Sequence, residues 1–278
     1  MMGRAHAMSG AAIALATTAI GVGPLDARTT PVAVIAMYTI VVAGGALAPD
    51  LDSHSSTVVR SFGIFGKIGH EITNAISLLI YNITKTKYDG DKDDAHRTFF
   101  HTTAFAVLVG FLDSLISIIP GKTTIYDHEY ANGQIGSIIA MWFFLHLGLA
   151  GLFDFALDAR KKFGPYLVML ASFGLTVLIS RFLPENETYG WLGIAAGGGM
   201  LIHLLGDFIT KMGVPILWPL KISGKRWYSV ALPSFMRIKA GGAMEKYVLF
   251  PAFSIITVIA GMFCLPFMNP MLHQLLGK

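Results

Sequence analysis

An all-α, polytopic membrane helical bundle is predicted for this chain by three features: its composition, its series of long apolar segments, and the placement of its basic residues. Of 278 residues, 54% are hydrophobic and 14% charged. Soluble domains carry about 25% charged residues, so this balance belongs to the membrane class. Apolar segments long enough to cross or nearly cross a bilayer run at roughly 8–23, 31–48, 98–119, 134–154, 165–183, 191–213 and 246–268, where a spanning helix needs about 20 residues. The net charge of +4 is modest and the basic residues are scattered between apolar segments. That pattern fits topology signals and anionic lipid head groups, and argues against a nucleic-acid partner.

Taken in order, each segment has its own reason. The first is short and rich in Ala, Gly and Thr, which suits close helix packing. No apolar region followed by a small-residue cleavage site precedes it, so no removable signal peptide is expected. The second, Val32 to Ala46, stops abruptly at Ala48-Pro49-Asp50-Leu51-Asp52-Ser53-His54. Residues 62–83 carry Phe65, Ile68, Ile72, Ile76, Leu79 and Ile83 at helical spacing, with Lys67, His70, Glu71, Asn74 and Ser77 mostly elsewhere on the wheel; this predicts an interfacial amphipathic helix. The polar stretch Lys85–Arg97 reads as a surface loop, and the third span opens with His96-Arg97-Thr98-Phe99-Phe100-His101. Asp113 within that span and His146 within the fourth are expected to bond neighbouring helices, and Asp127-His128-Glu129 to form a solvated loop. The sixth span carries His203-Leu204-Leu205-Gly206-Asp207, and the last carries the lone Cys264, which excludes an internal disulfide and a thiolate zinc site. The whole reads as one integral-membrane domain, 1–278, with its core from 1–110 and 191–245, additional helices in 120–185 and a last span at 246–268.

Seven crossings, with 62–83 left uncrossed, place the N-terminus, 49–97, 155–164 and 214–245 on one face. Of the 21 Lys and Arg residues, only Arg28, Lys122, Arg181 and Lys278 fall on the other face, a split of 17 to 4. The positive-inside rule makes the rich face cytoplasmic, with the N-terminus inside. The same topology brings His6, Asp50, Asp52, His96, His101, His203 and Asp207 to one depth near that face, where they can converge.

Ionisable groups at or inside lipid-facing segments are expensive, so they carry a functional reading by default. Four imidazoles and three carboxylates make a mixed nitrogen and oxygen set suited to zinc first, with manganese or iron as alternatives, as one or two divalent ions. His203 and Asp207 at i, i+4 share one helix face. Asp50 and Asp52 at i, i+2 are expected to leave an extended turn after Pro49. His96 and His101 at i, i+5 share no face of a regular helix, so His96 belongs to the loop and His101 to the first turns of the third span.

The order His6, Pro49-Asp50-Leu51-Asp52, His96-Arg97…His101-Thr102, His203…Asp207…Thr210, followed by Gly213-Val214-Pro215-Ile216-Leu217-Trp218-Pro219-Leu220, resembles the YdjM-like family of bacterial inner-membrane metal-dependent hydrolases, from the N-terminus to about residue 248. The resemblance implies a bacterial inner-membrane location and a metal-dependent hydrolase. The chain departs from the family pattern at Ser53, which displaces the following histidine to His54, and at Thr98 and Phe100.

The expected activity is metal-assisted hydrolysis of an amphiphilic or phosphorylated small substrate, such as a lipid-like ester, beside membrane lipids. The catalytic candidates are Arg97, placed to neutralise an anionic substrate or transition state, and Asp52, from a pool of seven donors that leaves room for a general base. A divalent-metal or proton transporter and a scaffold with a structural metal site are the competing readings.

Overall fold

The computed structural model describes residues 1–125, 128–153, 162–181 and 189–275. Its helices are α1 (Gly3–Ile20), α2 (Val32–Gly45), α3 (Thr57–Ser61), α4 (Ile64–Thr84), α5 (Thr103–Ser117), α6 (Asn132–Leu152), α7 (Pro165–Ser180), α8 (Trp191–Phe208), α9 (Phe250–Phe263) and α10 (Asn269–Leu275). Short 3-10 turns cover Ala48–Asp52 and Phe99–His101, and a π turn at Glu245–Leu249 leads into α9. Among the described residues, the paired strands are β1 (Lys122–Ile125) and β2 (His128–Ala131), which run antiparallel. The pair stands where a solvated loop was expected, and Lys122 Nζ bonds the exposed Glu129 Oε2 across it at 2.8 Å. Asp127, most of the expected 155–164 loop and Lys278 lie outside the described residues.

Among the described residues, four helical stretches are long and apolar enough to cross a bilayer: Val32–Asp52, Asn132–Leu152, Trp191–Phe208 and Glu245–Phe263. The expected third and fifth spans are the shorter apolar helices Thr103–Ser117 and Pro165–Ser180. At 1.5 Å per residue, 15 residues of α5 reach only about 22 Å, short of a ~30 Å hydrocarbon core. The expected first span is α1, whose Ala, Gly, Ser and Thr content keeps its apolarity low while most of its length is buried against protein.

At the centre lies α2, apolar on every face and packed against α1, α6 and α8. Alongside α8 runs α5, and α9 lies along α1. Small residues let the central helices meet backbone to backbone. A Cβ on Gly199 of α8 would stand 2.3 Å from the Val42 carbonyl oxygen, and one on Gly45 of α2 would stand 2.6 Å from that of Ala196. Gly44 and Gly148 make the equivalent approach between α2 and α6.

The expected amphipathic helix is present as α4. Its polar side faces the protein, with Gly66, His70, Thr73, Ser77 and Tyr81 buried, while Phe65, Ile68, Ile72, Ile76, Leu79 and Ile83 are exposed. The loop that follows it is clasped to the 214–245 segment. Asp89 Oδ2 accepts from the Thr86 and Arg226 amides at 2.8 and 3.2 Å, and Oδ1 from the Trp227 amide at 3.1 Å. Burial opposes the charge on Asp89, but these backbone donors outweigh it and hold its carboxyl below the usual carboxylate range.

Two outcomes follow from this packing. Gly199→Val forces α2 and α8 apart and is expected to lower stability by about 1–3 kcal/mol, the scale of core overpacking, read as a reduced melting temperature in detergent. Because the folded-state pKa of Asp89 is depressed, its clasp is at full strength above the ordinary aspartate range and weakens as pH falls through the lowered value. Limited proteolysis within 214–245 is therefore expected to accelerate on acidification, and Asp89→Ala to produce the same cleavage at neutral pH.

Candidate metal centre

The ends of four helices converge on one buried point: the start of α1, the turn that closes α2, the turn that opens α5 and the end of α8. Each supplies donors for a local reason. His203 and Asp207 sit one turn apart on the buried face of α8. Asp50 and Asp52 lie in the Ala48–Asp52 turn, begun by Pro49; it is a 3-10 helix, not the extended turn expected there. At three residues per turn, positions two apart point about 120° away from each other, so the two carboxylates diverge. His101 ends the second 3-10 turn instead of lying in the first turns of a helix. Thr102 follows it as the N-cap of α5, its Oγ1 accepting from the Phe105 amide at 3.1 Å.

His101 is the hub of the arrangement. Its Nε2 stands 3.2 Å from His203 Nε2, 3.8 Å from Asp50 Oδ1 and 3.9 Å from Asp207 Oδ2. His203 Nε2 is in turn 3.8 Å from Asp50 Oδ1 and 3.7 Å from Asp207 Oδ2. Ligand bonds of about 2.0–2.1 Å in a tetrahedral site require donor separations of roughly 3.3 Å, and these separations bracket that value from 3.2 to 3.9 Å. The ring orientations also fit. His203 Nδ1–H donates to the Ala46 carbonyl at 2.8 Å, which leaves Nε2 with its lone pair toward the centre. On the far side of the His101 ring, Nδ1 lies 3.2 Å from Asp52 Oδ2; neither atom has a well-aligned hydrogen bond. His96, in the loop, donates from Nδ1 to Asp52 Oδ1 at 2.9 Å.

His6 is completely buried, but its ring stacks on His203 with centroids 3.8 Å apart, and its Nε2 is 3.3 Å from Asp207 Oδ1. Neither of its ring nitrogens has a hydrogen-bond partner among the described residues. All seven donors named from the sequence are thus brought together, in three overlapping groups able to hold an ion: Asp50, His101 and His203; Asp52, His96 and His101; His6, His203 and Asp207. Four imidazoles and three carboxylates share this volume, and Arg97 is the side chain of fixed positive charge among them. This mixed nitrogen and oxygen set could hold a metal ion.

Arg97 is committed to the site itself. Its Nη2 meets Asp207 Oδ2 at 2.9 Å, and its Nη1 donates to Thr210 Oγ1 at 3.1 Å and to the Gly213 carbonyl at 3.2 Å. Among the described residues Nε has no partner, and Arg97 holds a left-handed backbone with φ 60°, a strained choice for a long side chain that is common at functional sites. His54 is exposed and stays outside the cluster, edge-on to His70 at 5.5 Å. His146 links helices as expected, from Nδ1 to Ser172 Oγ at 3.0 Å and from Nε2 to the Ser61 carbonyl at 3.2 Å. Asp113 does not meet its expectation fully: it is buried, and its Oδ2 has no hydrogen-bond partner among the described residues.

Two residues of α4 hold the ligand turn: His70, for which the sequence favours a surface role over a supporting one, and Thr73, to which it assigns none. His70 Nδ1–H and Thr73 Oγ1–H both donate to the Leu51 carbonyl, each at 3.2 Å. The signal for them was the polar face of an otherwise apolar helix. That face meets the Asp50–Asp52 turn.

A family model described as YdjM inner membrane protein matches residues 1–169 and 164–268 of the chain. No curated protein and no solved structure matches it.

The geometry ranks the donors. His203→Ala and Asp207→Ala are each expected to abolish high-affinity divalent-metal binding. Asp52→Asn, which removes a charged support of His101 and not a donor facing His101 Nε2, is expected to weaken it about 10- to 100-fold. Metal content by mass spectrometry and competition titration in detergent read both; equal losses in all three variants would refute the ranking.

Proposed function

The chain belongs to the YdjM inner membrane protein family, and from that premise we propose that this bacterial inner-membrane protein is a metal-dependent hydrolase working at the cytoplasmic boundary of the bilayer. The observation that carries the proposal is the donor group of Asp50, His101 and His203, 3.2–3.8 Å apart, with Asp207 beside both imidazoles and the opening on the Asp50 and His96 side. His101, His203 and Asp207 are sealed, whereas the Asp50 side chain is 16% and the His96 side chain 27% exposed. A substrate therefore arrives over Asp50 and His96.

What the ion supplies when bound is Lewis acidity, which acidifies water and polarises an ester oxygen. Zinc suits this nitrogen and oxygen set best, with manganese and iron the alternatives. The chain's own residues do the rest. Asp52 orients His96 through Nδ1, so Nε2 is the basic nitrogen and can accept a proton from water at the open side. Arg97 positions Asp207 and brings its positive charge beside the centre, where negative charge develops during ester cleavage. Exposed Lys211, Lys221, Lys225 and Lys239 lie in or beside the 214–245 segment and favour an anionic amphiphile, a phosphoester or other lipid-like ester.

The test is turnover of phosphoester and carboxylester amphiphiles by purified, metal-loaded protein, with bound-metal stoichiometry measured in parallel. Turnover is expected to need the metal, to fall at least a thousandfold in His203→Ala, and to fall in His96→Gln without loss of the bound ion. Metal-dependent uptake into vesicles without turnover would support transport instead, and a second ion lost from His96→Gln would move His96 from base to ligand.

A further inference from the structure

We propose that α4 is a membrane-seated clamp: its apolar face lies in the headgroup–acyl boundary of one leaflet, and its opposite face holds the Asp50–Asp52 turn in its ligating position. The metal half of this inference rests on the site reading above; the membrane half does not.

Three observations carry it. The first is the reversal of burial on the helix. Ile68, Ile72, Ile76, Leu79 and Ile83 are 41–73% exposed, while His70, Thr73 and Ser77 are buried. An isolated surface Leu means little, but an unbroken aliphatic stripe along a 21-residue helix does not face water. The second is what accompanies the stripe. Lys67 and Glu71 are exposed on the same helix, and α4 is not among the stretches apolar enough to cross, so it lies along the boundary. Exposed Arg60 and Lys67 near one end and Lys87 beyond the other suit anionic head groups. An apolar groove of about 390 Å³ beside Phe65, formed with Trp142, Tyr166 and Leu170, continues the surface onto α6 and α7.

The third observation is the clamp. Leu51, between the two aspartates, gives its carbonyl to both His70 Nδ1 and Thr73 Oγ1, and its side chain packs on Gly69. Gly66 lies so close to α3 that a Cβ would stand 2.1 Å from the Val59 carbonyl oxygen. The helix thus cannot shift on its lipid side without carrying the turn between α2 and α3 with it. His70 is a positioning residue: it acts through Leu51 on Asp50 and Asp52.

The full chain in vesicles tests both halves. With a spin label on Ile72→Cys in a Cys264→Ser background, oxygen is expected to quench the label and an aqueous nickel chelate to leave it untouched. Access to the chelate would overturn the membrane contact, and so would protection from both quenchers, the result of a second copy covering the face. For the coupling, Zn²⁺ affinity is expected to fall at least tenfold in His70→Ala and in Ile72→Glu/Ile76→Glu. His70→Asn, whose amide nitrogen occupies the place of Nδ1, is expected to restore it. Undiminished affinity in the folded variants would overturn the clamp while leaving the metal site standing. A wild-type protein that binds no Zn²⁺ would instead remove the site reading and the coupling together, with the label still deciding the membrane contact.

Discussion

A buried imidazole that uses both ring nitrogens can join two polar clusters across its own width, and the His101 ring is held between carboxylates in this way, with Asp52 on its Nδ1 side and Asp50 and Asp207 on its Nε2 side. In an apolar bundle each of these groups would be destabilising alone. Together they form a set in which every member depends on the others, so the ends of α1, α2, α5 and α8 are tied to one point. The helices fix where the donors stand, and the donors in turn fix how the helix ends meet.

The backbone contacts between α2 and α8 belong to the same constraint. Gly45 and Gly199 let the two helices approach to the point where the Ala46 carbonyl reaches His203 Nδ1. That hydrogen bond selects the tautomer whose Nε2 lone pair faces the centre. A packing feature of the bundle core therefore reaches the site chemistry through one carbonyl. The small-residue composition of the central helices, elsewhere only a route to close packing, sets ligand geometry here.

Much of this was legible in the sequence, for identifiable reasons. His203 and Asp207 announced a shared helix face by spacing alone, and charge asymmetry placed the other donors at their depth. The partition of roles was not legible. Asp50 and Asp52 look equivalent in a Pro-Asp-Leu-Asp string; only the 3-10 twist sends one to each side of His101. Arg97 read as a free cation for substrate because nothing local reveals its left-handed backbone or its contact with Asp207, 110 positions away. The strand pair Lys122–Ile125 and His128–Ala131 was hidden because its residues show no alternating apolar pattern.

The polar face of α4 shows what is hardest to read from a membrane sequence: the partner that a polar face meets. For a soluble helix, an apolar stripe marks the face toward the protein. In a bilayer protein the same stripe faces lipid, and the polar residues turn inward because the interior holds the partners they need. His70 illustrates the inversion: beside Lys67 and Glu71 it resembles a solvated residue, yet it is buried against the Leu51 carbonyl. Once a polar site occupies the end of the bundle, the helix that covers it must be polar toward the site and apolar toward the lipid. An amphipathic helix beside a buried ligand turn in a membrane protein is thus better read from its polar face, because that face points to the chemistry.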